Sequence, residues 1–182
     1  LDSNPFRLRQ IDDLFGGRIQ TLASNAFNIA AATKDADLLV GSVLIPGALT
    51  PKLVTEAMVK TMKPGSAIVD VAIDQGGCIE PTAKHGATYH DKPTFKYPVN
   101  GGEVVCYSVG NMPGAVARTS TFTLTNATMP YMVDLANKGW KKACQDDKAL
   151  ARGINTYDGK VYFKGVSDAL GYELHCTCDI LK

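Results

Sequence analysis

Two stretches of this chain are apolar at nearly every position: ADLLVGSVL, residues 36 to 44, and SAIVDVAI, residues 66 to 73. A strand with one wet face alternates apolar and polar residues. A run without that alternation fits a strand covered on both faces, as in a parallel sheet between layers of helix. The surrounding segments carry the helical period. Asn4 is a capping residue and Pro5 needs no N–H at a first helical position, which predicts a helix over FRLRQIDDLF. Phe6, Leu8, Ile11, Leu14 and Phe15 recur there at helical spacing, and Gly16-Gly17 stops it. RIQTLA reads as a short strand, and Ser24 or Asn25 caps a helix over AFNIAAATK. IPGALTP, with Pro46-Gly47, turns the chain. KLVTEAMVKTM is amphipathic through Leu53, Val54, Ala57, Met58 and Met62, and Lys63-Pro64-Gly65 ends it. EVVCYSV, residues 103 to 109, is a further strand. Strands and helices alternating through short connections predict an α/β fold, a Rossmann-like doubly wound parallel sheet.

Residues 79 to 102 read as a long loop rich in Pro, Gly, Thr and His. The character changes after Pro113, which divides the chain into a sheet domain at 1–113 and a helical segment at 114–182. In the latter, TSTFTLTNATMPYMVDLANKGW is read as a helix bent at Pro130 and KKACQDDKALARG as another. NTYDGKVYF is a hairpin with Asp158-Gly159 in a primed turn, and SDAL lies in a last short helix.

The net charge of +1 gives no reason to expect nucleic acid or an anionic membrane as partner. No apolar run approaches the roughly 20 residues that span a bilayer. LDSNPFRLRQ has neither the basic start nor the apolar middle of a signal peptide. The five cysteines have no framework spacing. His175, Cys176 and Cys178 lack the second ligand pair of a zinc site, so the tail is read as reduced, metal-free and cytoplasmic.

In open parallel sheets, ligands bind beyond the carboxyl ends of the strands. Asp2, Ser24, Val43 with Leu44, Asp74, and Asn111 with Met112 fall at five successive strand ends. Asp2 has two readings. It either accepts hydrogen bonds from a dinucleotide ribose, or opens an Asx turn into the helix at Pro5. Asp74, in VDVAIDQGGC, also has two. It caps a turn, or it faces a ligand that Gly76 and Gly77 let approach the backbone and exchanges protons with a substrate amine. No G-x-G-x-x-G occurs, and Leu1-Asp2 reads as the end of a strand. The first strand and its Gly-rich turn are therefore expected to lie outside this sequence.

DLLVGSVLIPGALTPKLVTEAMVKTMKPGSAIVDVAIDQGGCIE and NMPGAVARTSTFTLTNATMPYMVDLANKGW together resemble the alanine dehydrogenase family, with DQGGC and NMPGAV as the specific motifs. The likeness runs from Asp2 to about Gly171. It implies NAD-dependent oxidative deamination of L-alanine to pyruvate and ammonium, and the reverse, by a cytoplasmic homohexamer. It places the catalytic acid at Asp74. It places NAD contacts at Asp2, Arg7 and Ser24, at Val43 and Leu44, at Val71, Ala72, Ile73 and Asp74, at Lys84, and at Val109, Gly110, Asn111 and Met112. It also implies an amino-terminal half supplying a substrate-binding Arg and Lys and a catalytic His; His85, His90 and His175 do not replace that His. Two alternatives stand beside it. One is an NAD(H)-binding subunit of proton-translocating transhydrogenase, a relative without an acid at the place of Asp74. The other is a non-catalytic nucleotide-binding remnant. A sheet without its central strand leaves backbone groups unpaired, so the 182 residues are expected to need the rest of a roughly twofold longer chain, or a complementary chain. A purified 182-residue monomer that unfolds cooperatively and binds the cofactor would overturn that expectation.

Overall fold

The computed structural model describes residues 1–45 and 48–182, so the turn expected at Pro46-Gly47 lies outside the described residues. Two compact units make up the chain: Leu1–Leu44 with Leu49–Asn111, and a second consisting chiefly of Met112–Lys182.

The first unit opens with α1 (Pro5–Phe15), whose first N–H groups are taken by the Asn4 side chain and which ends at Gly16 in the left-handed region. Asn25 caps α2 (Ala26–Asp35). The apolar runs supply β1 (Leu38–Gly41) and β2 (Ala67–Asp70), with the short helix α3 (Glu56–Val59) between them. Thr55 caps α3, and only four residues of the long amphipathic segment are helical. Next come α4 (Glu80–His85), β3 (Thr94–Val99) and β4 (Gly102–Tyr107). The sheet order is β1-β2-β4-β3. The first three strands are parallel, with Leu39 beside Ile68 and Ile68 beside Cys106, while β3 runs antiparallel to β4.

Three expectations are corrected here. RIQTLA is no strand: only Ala23 pairs, in a single parallel bridge with Asp2. A ladder grows only while its partner stays extended, and Pro5 turns that partner into α1. SAIVDVAI leaves the sheet at Asp70, and Val71–Gln75 is a 3-10 turn. Residues 79 to 102 are not a loop but α4 and β3, with β3 joined to β4 through Asn100-Gly101, Gly101 having φ 88°. The α/β fold with its mostly parallel, Rossmann-like sheet is as expected, and the helices of this chain cover one of its faces. Ile29, Val59, Met62, Ile68, Ile79, Val104 and Cys106 form a buried core on that face. On the opposite face Leu38, Val40 and Val105 are 58%, 53% and 38% exposed. Among the described residues β1 has a strand partner on one edge only.

In the second unit α5 (Ala117–Asp146) passes straight through Pro130, and its non-helical residue is Gly139, at φ 73°. The bend expected at Pro130 thus falls nine residues later, where a glycine adopts a conformation that side chains resist. α6 (Lys148–Arg152) follows, then the hairpin of β5 (Thr156–Tyr157) and β6 (Lys160–Val161), and α7 (Lys164–Leu170). Asp158 and Gly159 both have positive φ, 47° and 70°, as a primed turn requires. Trp140 packs on Tyr157 with ring centroids 4.7 Å apart. The Sγ atoms of Cys176 and Cys178 lie side by side. No described helix is long and apolar enough to cross a membrane.

Asp70 is fully buried at the end of β2. Its carboxylate accepts the main-chain N–H groups of Cys78, at 3.1 Å, and Ile79, at 3.2 Å, together with the Thr82 hydroxyl. Ile79 is the N-cap position of α4 and has no side-chain cap of its own, so Asp70 supplies from the sheet what the helix start lacks. Asp70→Ala strands several buried donors at once and should cost about 3 kcal/mol or more, read as a lower urea midpoint at unchanged slope.

Burial pushes the thiols of Cys78 and Cys106 up to about 11, with the charge of Asp70 adding to the effect at Cys78. In the unfolded chain these thiols ionise near 9.0, so between there and about 11 the folded form binds more protons. Their stabilising contribution is complete below the lower value and is lost as pH rises through the upper one. Unfolding midpoints should therefore fall across that alkaline window, and less steeply in Cys106→Ala.

Candidate functional site

Parallel pairing brings the carboxyl ends of β1, β2 and β4 to one rim. From each end a short segment leaves the sheet: Ser42–Leu44 after β1, the 3-10 turn after β2, and Ser108–Asn111 after β4. Two hollows lie here. One, of about 250 Å³, is lined by Ser42, Val43, Leu44, Val71, Ala72, Asp74 and Gln75. The other, of about 330 Å³, shares Ser42 and Val43 and extends past Ser24, Leu1 and the apolar side chains of Ile29 and Leu39. Such a position is where open α/β sheets hold ligands.

Asp74 sits within the 3-10 turn, not at a strand end, and is exposed. Both carboxylate oxygens accept the main-chain N–H of Asn111, at 3.2 and 3.1 Å. The acid thus links the segments that leave β2 and β4 while facing the smaller hollow. Asn111 is one of two described non-glycine residues at positive φ, 52°. Non-glycine residues avoid that region unless their surroundings hold them there. At Gly110 an added Cβ would lie 3.2 Å from Asp74 Oδ1 and 3.5 Å from Ala87 Cβ.

Gly76 and Gly77 shape the turn itself. Both have positive φ, and a Cβ on Gly77 would lie 2.8 Å from Asp70 Oδ2 and 3.2 Å from Ala83. The turn requires both glycines, and the tight packing around Asp70 requires Gly77, while a Cβ on Gly76 would meet the Leu49 side chain at 3.2 Å. Thr50 Oγ1 donates to the Gly77 carbonyl at 2.8 Å, and the Lys52 ammonium donates to the same carbonyl at 2.6 Å. Neither Thr50 nor Lys52 stood out in the sequence, because the contact spans more than twenty positions.

The other residues singled out from the sequence divide. Val43, Leu44, Val71, Ala72 and Asp74 line the same hollow, and Ser24 lines the adjoining one. Ser42 and Gln75 join them unforeseen; a polar residue just past a buried strand was the available signal for Ser42. Ile73 and Val109 are buried core residues and line neither hollow. Met112 belongs to the second unit. Asp2 Oδ1 accepts the Asn4 N–H at 2.8 Å, an Asx turn into α1, which leaves Oδ2 outside that bond. Arg7 is exposed and donates to Gln10. Lys84 pairs with Glu56 at 3.0 Å and lines neither hollow. That bond, with a second from Tyr97, holds the Glu56 carboxyl below the usual carboxylate range and raises Lys84. His85 stacks on Phe95 with ring centroids 3.7 Å apart, a packing role.

Known proteins give this geometry a context. Residues 1–164 match the family model described as alanine dehydrogenase/PNT, C-terminal domain. An alanine dehydrogenase of Staphylococcus haemolyticus is 55% identical over the whole chain, which covers 47% of that protein. A solved L-alanine dehydrogenase superposes with a TM-score of 0.76 at 46% identity, over 93% of this chain and 45% of its own. A transhydrogenase from Sinorhizobium meliloti, 24% identical with a TM-score of 0.61 over 88% of this chain and 40% of its own, shares the fold. The chain thus spans about half the length of the curated relatives it matches. By the match over most of its length, this chain belongs to the alanine dehydrogenase/PNT C-terminal domain family.

Proposed function

We propose that this chain is the nucleotide-binding part of an NAD-dependent alanine dehydrogenase, converting L-alanine to pyruvate and ammonium and back. It acts with a substrate-binding half of the kind its relatives' length allows. The observation that carries the reading is Asp74: an exposed carboxylate on the strand-end rim, beside a hollow lined by Val43, Leu44, Val71 and Ala72. The Cβ-free approach of Gly110 and the shared Ser42–Val43 wall between two hollows suit an elongated ligand lying along the rim.

NAD, when bound, supplies the hydride acceptor. The chain's own residues do the rest. Val43, Leu44, Val71 and Ala72 give the ligand an apolar floor and keep water from it. In this reading Asp2 Oδ2, Ser24 and Arg7 serve the adenosine side. The contacts carried over from the family also include Ile73, Val109 to Met112 and Lys84, of which Val109 is buried and Lys84 is paired with Glu56 outside both hollows in this structure. Asp74 accepts or returns a proton at the substrate nitrogen, with the Asn111 N–H holding its carboxylate in place. The substrate carboxylate, the carbonyl and the second proton-transfer group fall to the Arg, Lys and His of the other half. A hexamer in the cytoplasm belongs to the same reading, and the exposed apolar side chains of α5, among them Phe122, Leu124 and Met132, are available for its contacts.

A transhydrogenase subunit is the weaker reading, since the solved transhydrogenase is 24% identical where the solved L-alanine dehydrogenase is 46%. In the complete enzyme, Asp74→Asn should lower alanine turnover by about a hundredfold or more while NAD affinity changes only a few-fold. Turnover at the unsubstituted rate would remove Asp74 from the chemistry.

A further inference from the structure

Asp74 is exposed on a short turn, where an unrestrained carboxylate would sample several rotamers. What restrains it is backbone. The Asn111 N–H reaches both oxygens, at 3.2 and 3.1 Å, and the chain then turns away through Asn111 at φ 52°. The peptide that carries this N–H is fixed from the side. Thr88 pairs with Val109 in a parallel bridge, its N–H donating to the Ser108 carbonyl at 2.8 Å, and the Gly110 N–H donates back to the Thr88 carbonyl at 3.3 Å. Thr88 is itself anchored, its hydroxyl donating to the Pro93 carbonyl at 2.8 Å, while the Ser108 hydroxyl donates to the Gly86 carbonyl at 3.0 Å. Gly110 completes the arrangement by lacking a side chain where one would crowd Asp74 Oδ1 at 3.2 Å.

We infer that Gly110 and Asn111 are positioning residues for the Asp74 carboxylate, acting through the Asn111 main-chain N–H and braced by the Thr88–Val109 bridge. This deepens the reading of Asp74 as the reacting acid and rests on it. Orientation is a large share of what a reacting group contributes, and a misplacement of about 1 Å can cost up to a hundredfold in rate. The role is distinct from any contact the Asn111 side chain makes, because the group used is an N–H that every residue except proline carries.

Two measurements on the complete enzyme test it. With selective ¹⁵N-asparagine labelling, the Asn111 amide proton should move as acid titrates the carboxylate, and Asp74→Asn should abolish that movement. An amide that ignores pH and is unaltered by Asp74→Asn would overturn the clamp without reference to activity. In kinetics, Gly110→Ala should lower kcat by about tenfold or more, and combined with Asp74→Asn it should lower kcat no further. Asn111→Gly, which keeps the N–H and tolerates the positive φ, should lose less kcat than Asn111→Ala. Equal losses in the two Asn111 variants, or an intact kcat in Gly110→Ala, would overturn the positioning role. If Asp74→Asn keeps full turnover while its effect on the amide is seen, the functional reading has failed and the contact has not.

Discussion

The first unit depends on a carboxylate that never meets solvent. Asp70 is fully buried at the last position of β2, where it gathers the Cys78 and Ile79 N–H groups and the Thr82 hydroxyl. A buried carboxylate is tolerated only when its oxygens are occupied, and this one is occupied by the approach to α4. The consequence is geometric. Tying α4 back to the strand end leaves seven residues, from 71 to 77, to make the return, and they form a 3-10 turn followed by two glycines at positive φ. The spacing that keeps Asp70 satisfied is what lifts Asp74 onto the rim.

Two acids four positions apart therefore have opposite fates. Asp70 holds structure and needs Gly77, since a Cβ there would press on its oxygen at 2.8 Å. Asp74 reaches across to the segment that leaves β4 and keeps an open hollow before it. Of the glycines of DQGGC, Gly77 belongs to the first acid and Gly76 ends the turn that carries the second. A motif quoted as one unit is thus two devices, one for packing and one for the rim, sharing a turn.

Much of the architecture was legible in the residues. Asn4-Pro5 and Gly16-Gly17 bound α1, Asn25 opens α2, and Asp158-Gly159 makes its hairpin turn, because caps and tight turns are settled by neighbouring atoms. The strand-end positions Val43, Leu44, Val71, Ala72 and Asp74 gather on one hollow because parallel pairing aligns the ends of consecutive strands. The β3–β4 hairpin was also written locally, in the alternation of TFKYPV before Asn100-Gly101, but the prolines and histidines upstream drew the reading toward a loop. Val71 is β-branched and reads as strand, but β2 ends at Asp70 and Val71 opens the 3-10 turn.

The sequence by itself determined the alternation of helix and strand, the caps and turns, and the membership of the family, since each is encoded in residues close together or in whole strings. The tertiary structure alone decided which aspartate is buried, which contacts Gly77 and Gly110 make by having no side chain, and which N–H the rim carboxylate receives. Those outcomes turn on groups brought within about 3 Å from positions up to 37 residues apart. No local pattern of apolar and polar residues carries that distance.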